Sequence, residues 1–160
     1  MNHYVTVGQF SLEEVFKHVP NDKKRKIKAE FGKYTVKVSS DRLITFKRNH
    51  ACVCCGLEGN VFCLQMTRKD MEDGNAPHFN LYATSDNGDI MLTKDHILAI
   101  ANGGKDVLNN YQTMCEHCNS IKAHGDISID RLRIAKLMFD KGVERNIIEK
   151  FVLSKTNDPF

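Results

Sequence analysis

Long apolar runs are missing from this sequence, and prolines are scarce. No stretch of about 18 apolar residues occurs, so a membrane-spanning helix is not expected. The opening MNHYVTVGQF carries neither the basic region nor the apolar stretch of a secretion signal. An intracellular, cytoplasmic protein is therefore expected. Only three prolines, with 41% hydrophobic and 27% charged residues, argue against a disordered or fibrous chain. Internal repeats and low-complexity tracts are also lacking. A chain of 160 residues suits one compact unit that buries about two-thirds of its unfolded surface, without room for two full cores.

Large net charge is absent too, at a formal +3, but the charge is unevenly spread. Residues 17–48 hold eleven Lys or Arg against Asp22, Glu30 and Asp41, a net of +8, which leaves −5 for the remainder. Clustered cations of this kind point to a polyanionic partner, because neutralising phosphates supplies most non-specific nucleic-acid affinity. Lys23, Lys24, Arg25, Lys26 and Lys28 are the candidate contacts. The run from Lys23 to Lys26 reads equally as a solvated loop.

Without a secretion signal, six cysteines are poor grounds for disulfides. Their spacing is more informative. Cys52 and Cys55 form one Cys-x-x-Cys, Cys115 and Cys118 a second, and Cys54 and Cys63 are left over. Two such pairs supply the four thiolates of a tetrahedral structural zinc site, each two-residue spacer letting a tight turn aim both sulfurs at one ion. A redox pair would need only one motif and a βαβ setting that this sequence lacks. Cys63, amid VFCLQM, reads as a small buried residue.

Along the chain, HYVTVGQF suggests a strand and SLEEVFKHV a helix capped by Ser11 with Glu14 three residues on, ended by Pro20. A basic stretch, Asn21 to Lys28, precedes a strand expected at about 33–38; DRLITFKRN fits a short helix or a strand. NVFCLQM, HFNLYAT and DIMLTKDHI read as strands, with RKDMEDGNAP a surface excursion around Lys69 to Pro77 and Asn87-Gly88 a hairpin turn. After His96 a loop with Gly103-Gly104 leads back to cysteines. CNSIKAHGD suggests a helix stopped by Gly125. Ile129 to Phe139 and Val143 to Leu153 have helical spacing, with Ile134, Leu137, Met138, Ile147, Ile148 and Phe151 as expected packing positions.

Chemistry concentrates between the cysteine pairs. Hydrolysis of a phosphodiester needs an activated water, a cation to neutralise developing charge, and a group that aims the base. His96 suits the base, since an ordinary imidazole, of pKa about 6.5, is largely neutral at physiological pH. Asp95 and Asn119 offer oxygens to a hard divalent ion such as magnesium, which needs only one or two protein ligands. Asn110 can fix the imidazole. Each has a plainer reading: Asp95-His96 as surface residues, Asn119 as a helix cap, Asn110 as a turn residue. Asp95 and His96 would face opposite ways in a regular strand and could converge at a strand end or bulge.

The ordered set DHI, GG, D, N, Q and C-x-x-CN-x-x-K, from CVCCG at Cys52 to Lys122, resembles the HNH endonucleases of the ββα-metal, or His-Me finger, group. About 70 of 160 residues carry the resemblance. It implies an α+β fold: a zinc-stabilised ββα-metal, treble-clef-like HNH core at 46–126, a basic N-terminal α/β extension at 1–45 and a C-terminal helical segment at 127–160. It further implies His96 as general base, Asn110 as the residue that orients it, Asp95 and Asn119 as ligands of Mg2+ or Mn2+, and Cys52, Cys55, Cys115 and Cys118 as the structural Zn2+ site. Lys122 would touch a phosphate or be a solvated helix residue. Asn119 stands where many members have His; His117 and His124 fall outside the matched position. The basic N-terminal third is loosely similar to the flanks of small phage or mobile-element HNH nucleases. The expected function is metal-dependent endonucleolytic hydrolysis of double-stranded DNA, leaving 5′-phosphate ends. A non-catalytic zinc-stabilised nucleic-acid-binding module is the alternative, and a zinc-dependent protein-interaction domain a third.

Overall fold

Five antiparallel strands carry the architecture of the computed structural model, which describes residues 3–23 and 25–154. In sheet order they are β1 (Tyr4–Phe10), β4 (Val61–Thr67), β5 (His78–Ser85), β6 (Gly88–His96) and β7 (Tyr111–Cys115). A separate hairpin pairs β2 (Lys28–Phe31) with β3 (Tyr34–Lys37). The helices are α1 (Leu12–Phe16), α2 (Asp41–Arg48), α3 (Arg68–Glu72), α4 (Glu116–Lys122), α5 (Ile129–Asp140) and α6 (Arg145–Leu153). The fold is mixed α+β. No helix among the described residues is long and apolar enough to cross a membrane.

Register explains where the core lies. Phe10, Phe62, Leu81, Leu92 and Cys115 stand directly opposite one another across all five strands. Partners opposite in an antiparallel ladder share a face, so this row presents one apolar surface. Helices α1 and α2 cover it, Phe16 and Phe46 packing edge-on or tilted against Phe62 at 5.3 and 6.4 Å. Phe31 and Phe79 meet at 4.7 Å. Truncating a phenylalanine as fully buried as Phe46, Phe62 or Phe79 to alanine costs about 3–5 kcal/mol. The opposite face is polar. There Gln65 Oε1 accepts from Asn80 Nδ2 at 2.7 Å and Tyr82 Oη at 2.9 Å, while its Nε2 donates to Thr6 Oγ1 at 2.9 Å.

Local signals in the sequence hold in several places. The Ser11–Glu14 capping box forms, with Glu14 Oε2 accepting from the Ser11 amide at 2.7 Å. Ser40 caps α2 and resolves its ambiguity toward helix, burying Leu43, Ile44 and Phe46. The β5–β6 hairpin forms with Ser85 opposite Gly88, so Asp86 and Asn87 are its two turn residues, one position before Asn87-Gly88. Cys63 is buried in β4, as expected.

Other elements differ from expectation. The excursion after β4 contains α3, closed by Thr67 Oγ1 and Asp70 in a capping box of their own. The basic stretch ends in β2, and YQTMC forms β7. The N-terminal segment is joined to the core by the β1–β4 ladder, and α2 runs across the boundary expected at residue 45. In the C-terminal helices Ile148 is buried and Met138 and Phe151 pack against the core. Ile134, Leu137 and Ile147 are exposed, Leu137 by 59%. The buried positions are Leu132, Ala135, Val152 and the expected Ile148, on two helices that pack on each other and on α4.

Candidate active site and metal centre

The four paired cysteines converge. The sulfurs of Cys52, Cys55, Cys115 and Cys118 lie within 4.8 Å of one another, and together they can hold a zinc ion. The first pair sits in a turn where the Gly56 amide donates to the Cys52 carbonyl at 2.8 Å. The second opens α4, where the Cys118 amide donates to Cys115 Sγ at 3.4 Å. Thiol hydrogen bonds from Cys115 and Cys118 hold Cys52 far below the ordinary thiol range, and Cys118 is pushed far above it by hydrogen bonds to Cys115 and Cys52. A divalent cation among the four sulfurs favours their thiolate forms. Arg133 of α5 donates to the Cys54 and Val53 carbonyls at 2.9 and 3.3 Å, fastening the C-terminal helices to the first turn.

Strand β6 runs without a bulge to its last residue, pairing Asp95 with Gln112 and His96 with Tyr111. Strand alternation therefore gives the two neighbours different surroundings. Asp95 is 8% exposed; its Oδ2 accepts from Gln112 Nε2 at 2.9 Å and pairs with Lys122 Nζ at 2.9 Å. Oδ1 has no hydrogen-bond partner among the described residues. His96 lies on the side of Leu92, its side chain partly exposed. Its Nε2 is 2.7 Å from Asp106 Oδ1, which also accepts from Tyr111 Oη at 3.1 Å. The Tyr111 ring meets the imidazole edge-on at 5.0 Å, and Lys94 Nζ stands 3.7 Å over that ring. Hydrogen bonds from His96 and Tyr111 hold Asp106 below the usual carboxylate range. Burial and the Asp106 contact push the Tyr111 phenol up to about 12.

Helix α4 brings Asn119 under β6. Its Nδ2 donates to Thr93 Oγ1 at 3.0 Å, and its amide oxygen has no hydrogen-bond partner among the described residues. Thr93 and Asp95 share a face of β6, so the free oxygens of Asn119 and Asp95 belong to the same side of the sheet. This donor set fits a hard divalent ion, which takes carboxylate and amide oxygens and retains waters. Lys122 departs from both roles expected of it, phosphate contact and solvated residue. It is 2% exposed, one helical turn beyond Asn119, and its Nζ donates to the His96 carbonyl at 2.7 Å as well as pairing with Asp95. A side chain so committed is not placed for a phosphate.

Asn110 makes no hydrogen bond to the imidazole ring. Its Oδ1 accepts from the Leu98 amide at 2.9 Å, its Nδ2 donates to the Leu98 and Lys105 carbonyls, both at 3.0 Å, and its carbonyl accepts from the Ile97 amide at 2.8 Å. It thus ties both ends of the loop that leaves His96. Glycines close this loop: Gly103 has φ +94°, and a Cβ on Gly104 would fall 1.9 Å from the Leu98 carbonyl oxygen. Among the basic candidates, Lys23 pairs with Asp41 at 3.0 Å, and Arg25, Lys26 and Lys28 are exposed. Lys24 lies outside the described residues. His117 and His124 are exposed and take no part in the sulfur cluster.

A histidine and a carboxylate at the end of one strand, an asparagine beneath them and a four-cysteine cluster beside them define an α+β protein with a candidate catalytic and zinc-binding centre. Residues 82–128, from β5 to the turn after α4, match the family model of HNH endonucleases, and this match supports membership of the HNH family. The match covers under a third of the chain and leaves the first cysteine pair outside it. No curated protein and no solved structure matches the chain. An HNH segment suggests a nuclease or nucleic-acid-binding function.

Four residues at this centre have no role assigned from sequence: Thr93, Asp106, Tyr111 and Gln112, the last a partner of Asp95. Asp106 and Gln112 do belong to the ordered HNH set, as the D and Q between GG and the second cysteine pair. Tyr111 becomes legible only once β7 is known to face β6.

Proposed function

We propose that the chain is a metal-dependent endonuclease that hydrolyses phosphodiester bonds of DNA at the end of β6. The observation that carries this reading is the imidazole of His96 at the strand's last position, with uncommitted oxygens of Asp95 and Asn119 on the adjoining face. Because β6 ends there, a phosphate at its tip adjoins both faces. His96 takes the proton of the attacking water. Asp95 and Asn119 hold Mg2+ or Mn2+, which when bound neutralises charge on the phosphate and the leaving 3′ oxygen. Asn110 positions the base through the loop backbone rather than through the ring. Cys52, Cys55, Cys115 and Cys118 bind a structural zinc that anchors β7 and α4. Lys23, Lys24, Arg25, Lys26 and Lys28 contact the backbone of duplex DNA.

The measurement is nicking of supercoiled plasmid with Mg2+ or Mn2+ and with chelator. Metal-dependent nicks that a ligase reseals, and therefore carry 5′-phosphate, are expected. Binding without cutting at any metal concentration would overturn the reading. One observation favours the second reading, a non-catalytic nucleic-acid-binding module: the Lys122 ammonium already neutralises Asp95. On that reading Mn2+ does not bind, and Asp95→Asn leaves DNA affinity unchanged.

A further inference from the structure

The contact between His96 and Asp106 says more about the base than its position on β6 does. An imidazole has two nitrogens, and the hydrogen bond made by one decides which tautomer the other presents. Here Nε2 meets a carboxylate oxygen at 2.7 Å, and a carboxylate can only accept. The proton therefore resides on Nε2. Asp106 is itself held from the other side, since Tyr111 Oη donates to the same oxygen at 3.1 Å. Tyr111 is buried, and its phenol is a donor across the working pH range. The ring, the carboxylate and the phenol thus form a fixed chain on the face of β6 away from Asp95.

We propose that Asp106 is a positioning residue for the base: it holds His96 as the Nε2–H tautomer, with Tyr111 fixing Asp106, so that Nδ1 accepts the proton of the attacking water. The proposal rests on the nuclease reading above and deepens it. In the step, a water O–H bond breaks and its proton passes to Nδ1, while the oxygen forms a bond to phosphorus. The P–O3′ bond breaks, its electron pair leaving on the 3′ oxygen, which solvent protonates. The imidazolium formed keeps its Nε2–H on Asp106, whose charge stabilises it. Asp106 touches neither substrate nor metal in this step. Its side chain is 73% exposed, so replacing it disturbs no core.

The test combines ring 15N correlation spectra with single-turnover nicking, using wild type, Asp106→Ala, Asp106→Glu and Tyr111→Phe, the His96 signals being assigned by their loss in His96→Ala. Wild type is expected to show a protonated Nε2 and an unprotonated Nδ1. Asp106→Ala should mix the tautomers and slow cutting about 10- to 100-fold, a fraction of what a general base contributes, while DNA affinity stays the same. Asp106→Glu should restore part of the rate, and Tyr111→Phe should cost about 2- to 5-fold, as loss of one supporting hydrogen bond. A wild-type ring protonated on Nδ1 would overturn the proposal, as would an Asp106→Ala protein with unaltered tautomer and rate. Failure of the nuclease reading looks different: the ring signals depend on Asp106 as described, yet wild type does not cut.

Discussion

The two faces of β6 are built on opposite principles within three residues. On one face Asp95 is buried, paired with a Lys122 that is more deeply buried still, and bonded to Gln112. On the other, the His96 side chain is 27% exposed and that of its partner Asp106 73%. A buried charge pair is rigid and costly to break, whereas an exposed one is cheap and leaves its ring reachable by solvent. The fixed face suits a group that must present an oxygen in one place. The open face suits a group that must exchange a proton with water. The strand's alternation, which at first separates the two neighbours, is what permits the division.

Removing the support common to both faces has the largest expected effect. Replacing Cys115 and Cys118 together with serine should abolish zinc binding, about one ion per chain, and the fold with it, since structural zinc sites contribute on the order of 10 kcal/mol. Metal content and far-UV circular dichroism report this, and a folded, zinc-free wild type would contradict it. Next comes the contrast itself. Asp95→Ala strands the Lys122 ammonium and should cost about 3–5 kcal/mol in urea unfolding, while His96→Ala should stay within about 1 kcal/mol. Adding Lys122→Met to Asp95→Ala should recover much of the loss. Equal destabilisation by the two single changes would break the comparison.

Smaller effects sharpen it. Asn110→Ala removes the clasp on Leu98 and Lys105 and should cost about 1–3 kcal/mol, with faster hydrogen exchange at the Leu98 amide as the specific sign. Arg25→Ala with Lys26→Ala changes two exposed side chains and should leave stability alone. Plots of log affinity for duplex DNA against log salt should then flatten by about 0.9 for each phosphate no longer neutralised. An unchanged slope would remove these residues from the interface.

What was legible in the sequence was whatever local chemistry or fixed spacing dictates. The cysteine pairs, the Ser11 cap, the β5–β6 hairpin and the glycines after His96 each carry their own signal. Strand β7 was not legible, because YQTMC is short and its partner is set by the sheet, not by neighbours in sequence. The roles of Tyr111, Asp106 and Gln112 went with it. Lys122 shows a different limit: a lysine one turn past Asn119 reads as solvated, and only the packing of α4 against β6 reveals a buried counter-ion. The exposed Leu137 and Ile147 show that helical spacing identifies a stripe but not which edge of it is covered.

The central claim is that His96 is the base of a metal-dependent nuclease, and single-turnover plasmid nicking by purified His96→Ala tests it most directly. With Mg2+ or Mn2+ the expected rate is about 10²- to 10⁴-fold below wild type, with DNA affinity and unfolding midpoint nearly unchanged. Cutting by His96→Ala at the wild-type rate would contradict it.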